Sequence, residues 1–228
     1  MKKLLQLIVL LTSFLLHSQT KKAAIKFHDK VFYDVFVYTN SDTINITKFK
    51  PWVEIKDLQI SSNNNYVFFR YKPKGKAYKL VCYELNTLNK IAEITPGYGG
   101  TFKWNKQNQI LHTWGCGTNC ANLRVYNTQL EDVFYSFSTG GFKFSPDKTK
   151  VAQLNLTQSQ VWVVNLSSNG FSRGFTKKIH HDIDWNTFGF HTNYLLVLSN
   201  NPKSNINLSN LKWVTLSPEQ INSFYLEK

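Results

Sequence analysis

The segment FKFSPDKTKVAQL, residues 142–154, decides how this chain reads. Phe142 and Phe144 flank Lys143 in an alternating run, Ser145, Pro146 and Asp147 interrupt it, and Val151 and Ala152 open a second apolar run. Proline at the second position of a turn presets φ, and an aspartate beside it bonds back to the backbone, so the segment is two strands joined by a tight reversal. Three other segments stack on it: LQISSNNNYVFF from Leu58, FKWNKQNQILHT from Phe102 and IDWNTFGFHTNYLLVL from Ile183. Each runs apolar, variable, apolar or aromatic, then Ser or Asn. The anchors Ile60, Trp104, Phe144 and Trp185 fall at intervals of 44, 40 and 41 residues, a repeat that has to be weighed before any other feature of the fold.

A third strand follows in each unit, as KLVCYEL from Lys79, NLRVYN from Asn122, QVWVVNL from Gln160 and NLKWVTL from Asn210. Fourth strands fit Lys90–Ile94, Asp132–Tyr135 and Phe171–Phe175. Helical periodicity is lacking between residues 24 and 216, where short Val, Ile, Tyr, Phe and Trp runs alternate with Asn, Ser, Gly, Pro and Asp. Four strands in about forty residues is the arithmetic of a propeller blade, so the expected class is all-β, a β-propeller of four to five blades. Residues 23–53 hold two or three more strand candidates, either a fifth blade or the strand that closes the ring. The terminal SPEQINSFYLEK offers Ser217 as N-cap, Pro218 at the first helical position and Gln220 three residues after the cap, which predicts a short C-terminal helix over Pro218 to Tyr225.

FSPDKTKVA resembles the SPDG-K-x-[VIL]-A signature of TolB-like and WD40-like propeller repeats, and QVWVVNL resembles the strand that follows it. The resemblance extends over residues 57–216. The other three turns lack Pro and Asp, and no unit ends in a Trp-Asp pair. It implies a scaffold, and such scaffolds host many unrelated functions.

MKKLLQLIVLLTSFLLHS at the start has two lysines, about a dozen apolar residues and then small and polar positions, which reads as a signal peptide over residues 1–19. Its apolar run is shorter than the roughly 20 residues of a spanning helix, and no later segment is long enough either. Residues 20–228 are then a single exported domain, periplasmic or extracellular. The formal charge is +13, and loss of Lys2 and Lys3 leaves 13 − 2 = +11. Almost all of it is lysine; Arg70, Arg124 and Arg173 are the only arginines. Phosphate and guanine recognition favour the rigid arginine fork, so nucleic acid is a poor partner despite the pI near 9.6.

In HTWGCGTNCANLRVYN, residues 112–127, Cys116 and Cys120 stand three residues apart between apolar runs. Redox centres of the thioredoxin type need a Cys-x-x-Cys at a helix start, and structural zinc needs four ligands where the only other thiol is Cys82. An exported chain makes a Cys116–Cys120 disulfide the expected outcome, worth about 2 kcal/mol by loop closure. Its purpose is then to shape a loop, with Gly115 and Gly117 allowing the tight ring and Trp114 held outward. Cys82 is expected as a buried thiol on a strand.

His180, His181, Asp182 and Asp184 form the nearest approach to a metal set, but adjacent histidines point to opposite faces of a strand, and a polar connection between blades explains them better. Glu54 with Asp57, Glu131 with Asp132, and Asp182 with Asp184 are close in sequence and read as turn or edge residues. Asn45, Asn155, Asn165 and Asn207 lie in glycosylation sequons and read as strand and turn composition. No nucleophile elbow, zinc-protease helix or phosphate loop is present, so neither a catalytic residue nor a cofactor is assigned. The connections between second and third strands share one face with those between blades. That face receives Lys72, Lys74, Lys76, Trp114 and Lys203, and the expectation is a non-catalytic binding or scaffold protein for an anionic envelope polysaccharide or another envelope protein. The alternative is a hydrolase or lyase acting on polysaccharide or peptide from the same face.

Overall fold

The computed structural model describes residues 21–28, 32–39, 42–49, 53–118, 120–138, 141–155, 160–167, 170–175, 183–184 and 187–217. The expected signal peptide, the C-terminal helix, His180, His181, Asp182 and Trp185 lie outside them. Five antiparallel sheets follow one another along the chain. The first joins β1 (Lys22–His28), β2 (Phe32–Tyr38) and β3 (Thr43–Asn45). The second joins β4 (Val53–Ile60), β5 (Tyr66–Pro73), β6 (Lys79–Glu84) and β7 (Lys90–Ile94). The third joins β8 (Thr101–Trp104), β9 (Ile110–Gly115), β10 (Ala121–Tyr126) and β11 (Asp132–Ser138). The fourth begins with β12 (Phe142–Phe144), β13 (Lys150–Asn155), β14 (Gln160–Ser167) and β15 (Gly170–Phe175). The last joins β16 (Gly189–Phe190), β17 (Leu195–Val197) and β18 (Ile206–Asn207). This is the all-β, propeller-like architecture expected of the forty-residue units, and residues 22–45 make a sheet of their own.

Alternation along each strand supplies both faces. Phe68 and Phe69 are both fully buried but on opposite sides of β5. Phe68, Leu80 and Cys82 meet Phe102, Trp104, Ile110 and Tyr126 of the third sheet, whereas Phe69, Tyr71 and Val81 meet Val35 of the first. Leu111, Leu123, Val125 and Phe134 then pack on Val151, Val164 and Leu166, and Ala152, Val161 and Val163 pack on Phe188, Leu196 and Leu208. Each such aromatic or branched residue contributes roughly 1.5–3 kcal/mol by leaving water.

The tight reversals share one backbone solution. Asn64, Asn108 and Lys148 have φ of 57°, 59° and 56°, and each stands four residues after its anchor, Ile60, Trp104 or Phe144. Asparagine tolerates this left-handed conformation, while lysine there costs roughly 1–2 kcal/mol. The aspartate of the SPDK turn does what its position predicts: Asp147 Oδ1 accepts from Ser145 Oγ at 2.7 Å, Thr149 N at 3.0 Å and Thr149 Oγ1 at 2.9 Å. Burial alone would raise its pKa, but these donors win and hold it below the ordinary value.

Two expectations about the last unit are corrected. A tight turn, in which Thr187 N and Phe188 N both donate to Asp184 O, breaks the first strand, and the hairpin bond His191 N to Leu195 O takes the place of Ser145 N to Lys150 O. Phe190 therefore occupies the anchor position, 190 − 144 = 46 residues after Phe144. The segment NLKWVTL does not supply the third strand of its own sheet either. Its β19 (Trp213–Thr215) pairs with β15 at the edge of the fourth sheet. Gly174 is what admits it: a Cβ there would lie 2.9 Å from Leu211 Cδ1 and 3.5 Å from the Trp213 ring.

Two substitutions test the turn. Asp147→Ala leaves three donors without their acceptor and is expected to lower unfolding free energy by about 1–3 kcal/mol. Lys148→Gly relieves the left-handed lysine and is expected to raise it by up to about 1 kcal/mol. Urea denaturation of both variants reads the two signs.

Candidate functional site

The second and third sheets face each other through an interface whose chemistry changes along its length. At one end it is apolar. At the end carrying the loops between second and third strands, the same alternation that buries Phe68 and Ile110 places Arg70, His112, Trp114 and Arg124. A ladder of flat groups results. The Arg70 guanidinium carbon lies 5.3 Å from the centre of the Tyr78 ring and 4.7 Å from that of Phe102. Phe102 stacks on His112 at 4.0 Å, His112 lies 4.5 Å from Trp114, and Trp114 stacks on Tyr98 at 5.2 Å with 7° between planes. Arg124 covers Trp114 at 5.7 Å and Tyr135 at 6.0 Å.

The loop that carries Tyr98 is pressed onto β9. Gly100 has φ +130°, and a Cβ there would sit 2.2 Å from the Thr113 carbonyl oxygen and 2.9 Å from Trp114 Cβ. Only glycine allows this approach. It sets Tyr98, 59% exposed, on the indole of Trp114. Trp114 is accordingly half-buried between Tyr98, His112 and Arg124, and the expectation of an outward, exposed tryptophan is corrected: β9 pairing sends it to the inter-sheet side with His112. The disulfide between Cys116 and Cys120 is present, with Cα atoms 5.4 Å apart, at the end of the same hairpin. Cys82 is the buried thiol expected, its pKa pushed up to about 12 by burial.

Around Tyr78 the cations collect. Lys56 Nζ and Lys72 Nζ lie 5.3 and 5.4 Å from its ring centre, beside Arg70. Lys74 and Lys76 are exposed in the turn between β5 and β6. Against these five cations stand Glu54, bound by Lys56 at 2.7 Å and by the Tyr78 hydroxyl, and Asp57, paired with Arg70. The local sum is 5 − 2 = +3. Hydrogen bonds from Lys56 and Tyr78 hold the Glu54 carboxyl below its ordinary pKa. The structure thus brings Lys72, Lys74 and Lys76 to one patch and joins it to Trp114 through the ladder. Lys203 is exposed on the β17–β18 connection of the last sheet, where its own N–H bonds Asn201 Oδ1 at 3.1 Å. Arg70, Tyr78, Tyr98, Phe102, His112 and Arg124 were not singled out from the sequence. The signal was there for two of them, since Arg70 and Arg124 are two of only three arginines and both fall in strands.

The carboxylates that are neighbours in sequence serve separate partners. Beyond Glu54 and Asp57, Glu131 accepts from Asn127 at 2.7 Å, Asp132 faces Arg124 at 3.5 Å and Asp184 accepts from Thr187 at 3.2 Å. Burial raises the Asp132 pKa against the pull of Arg124. Among the described residues no three His, Cys, Asp or Glu side chains group as metal ligands.

His112 is 1% exposed, and its Nε2–H donates to Gly99 O at 3.0 Å, which leaves Nδ1 as a buried acceptor with no partner. Burial lowers its pKa to about 4; the Gly99 bond opposes this, and Arg124 and Arg70 add to it.

No family model matches the sequence, and no curated protein does. Among solved structures, a WD40 propeller chain in the crystal structure of the Mitotic Checkpoint Complex matches 85% of this chain and 60% of its own length, at 12% identity and TM-score 0.42. The β-propeller domain of Myceliophteria thermophila Cps50 (Swd1) matches over 85% and 65%, at 10% identity and TM-score 0.40. TolB from Acinetobacter baumannii matches over 82% and 49%, at 10% identity and TM-score 0.35. This chain therefore spans less than two thirds of the length of each of these three solved chains.

The ladder gives the protein an acid sensitivity of known sign. An unfolded histidine takes up its proton below about 6.5, whereas folded His112 resists to about 4. Its contribution is therefore complete above pH 6.5 and is lost as pH falls toward 4, about 3 kcal/mol in all. Unfolding free energies at pH 7 and pH 4 should differ by about that much more in the native chain than in His112→Phe; equal acid losses in the two would contradict the assignment.

Proposed function

We propose that this is an exported, non-catalytic binding protein that holds an anionic envelope polysaccharide at the loop end of its second and third sheets. The observation that carries the reading is the cluster of Lys56, Arg70 and Lys72 around one tyrosine ring, extended by Lys74 and Lys76 and opposed by two carboxylates. A surplus of exposed positive charge on a fixed frame attracts polyanions and is screened by salt. Tyr98 on Trp114 adds a flat, partly exposed platform beside it, the kind of surface a sugar ring covers. Export is supported by the signal-like residues 1–19 and by the Cys116–Cys120 disulfide. Among the described residues no helix is long and apolar enough to cross a membrane. The non-catalytic part rests on the dispersed carboxylates, each engaged by its own donor or cation.

Retention on immobilised alginate, a carboxylated polysaccharide, tests the proposal against neutral dextran as control. The native chain is expected to bind alginate and to release it in about 0.5 M salt. The variant Lys72→Ala/Lys74→Ala/Lys76→Ala should lose about tenfold in affinity, and Tyr98→Ala should weaken it further. Unchanged retention of the triple variant, or binding indifferent to salt, overturns this reading; capture of an envelope protein at the same lysines would replace the polysaccharide by a protein partner.

A further inference from the structure

The opposite end of the same sheets carries a different chemistry. Strands 1–2 and 3–4 of each meander turn there, and residues of the second and third sheets, with Ser167 of the fourth, line an open cavity of about 390 Å³. Its wall includes Asn63, Tyr66, Gln107, Asn108, Gln109 and Asn127, and among the described residues no charged side chain lines it. The volume is that of a small-molecule site.

The amides in this wall have bonding capacity to spare. Gln107 Oε1 and Asn108 Oδ1 are buried acceptors without a partner. Asn63 works through Oδ1, which accepts from Ser61 Oγ at 2.7 Å and Asn65 N at 3.1 Å. Gln109 works through Oε1, which accepts from Asn105 Nδ2 at 2.7 Å. None of these bonds uses the amino groups of Asn63 or Gln109. Donors and acceptors therefore stand side by side with no charge among them, and buried amide oxygens left unpaired cost free energy that a matching ligand recovers.

We propose that this cavity binds a short neutral sugar chain, one or two of its rings seated in the cavity and their hydroxyls exchanging hydrogen bonds with Asn63, Gln107, Asn108 and Gln109. The lining selects the class. Among the described residues of the wall an anion would find no cation, a cation no carboxylate, and an apolar ligand only Tyr66 and Val133. A peptide docks by adding a strand to a sheet edge or by seating apolar anchors, and this wall is built mostly of turn residues, with only Tyr66, Val133 and Ser167 from strand ends. A hydroxyl, which donates and accepts at one atom, matches amides that offer both. The site is separate from the lysine patch, so either can fail without the other.

The experiment uses the full chain and ligand-observed NMR with maltotriose, cellotriose and triacetylchitotriose at about 10 mM. At least one is expected to bind saturably. Gln107→Ala removes a side chain that makes no hydrogen bond to the described residues, and Gln107→Glu keeps its shape but adds charge; each should weaken that binding by about tenfold. Lys72→Ala/Lys74→Ala/Lys76→Ala should leave it unchanged. The proposal is overturned if none of the three trisaccharides binds, if both Gln107 variants bind as the native chain does, or if N-acetyl-trialanine amide occupies the cavity in their place.

Discussion

A sheet of four short strands has two faces and no interior of its own, and that constraint governs this protein. Phe68 and Phe69 cannot both leave water unless a neighbour covers each side of β5, so every unit requires another beside it. Stacking supplies the neighbours, and the core becomes a series of inter-sheet seams in place of one central mass. The seam between second and third sheets departs from the rest because its alternation runs on into Arg70 and His112. A guanidinium can enter such a seam because flat aromatic faces receive it: Phe102 on one side, Tyr78 on the other, and Asp57 to balance the charge. The change from apolar packing to cation–ring packing is what turns a structural seam into a surface with chemistry.

Much of the fold was legible because turn chemistry is local. The SPDK reversal, the amide-rich turns at Asn64 and Asn108 and the third and fourth strands follow from residues within a few positions of one another. The last unit was misread for an equally physical reason. Two turn signals, one at Asp184 and one at His191, compete there, and the stacked sequences preferred the first while the hairpin hydrogen bond forms at the second. The pairing of β19 with β15 was hidden because it depends on Gly174, which lies 211 − 174 = 37 residues before Leu211 and leaves space for it. Register between distant segments is a property of shape, and no local pattern carries it.

The site divides in the same way. Lysines on the β5–β6 loop and the cysteine hairpin could be placed at one end of the blades from strand order alone. The ladder could not, because it draws on residues 54–57, 70–78, 98–102 and 112–124, whose juxtaposition depends on how the second sheet leans on the third. Trp114 shows the limit. Its neighbours Gly115 and Gly117 suggested an outward side chain, but direction on a strand is fixed by parity, and parity with His112 turns it toward the seam.

The two ends of these sheets also differ in how far their residues are dictated by the backbone. Asn64 and Asn108 occupy left-handed positions that favour asparagine whatever the protein does. Gln107 and Asn63 do not, and neither do Lys74 and Lys76, since Gly75 at φ 70° meets the conformational demand of their turn. Side chains that the fold leaves unspecified carry the most information about binding. By that criterion the lysines at one end and the glutamine at the other are choices made on top of the architecture, whereas the asparagines beside them are part of its construction. The contrast between the ends, cations gathered around a tyrosine ring at one and amides lining a cavity at the other, then marks two surfaces suited to different chemistry on a single frame.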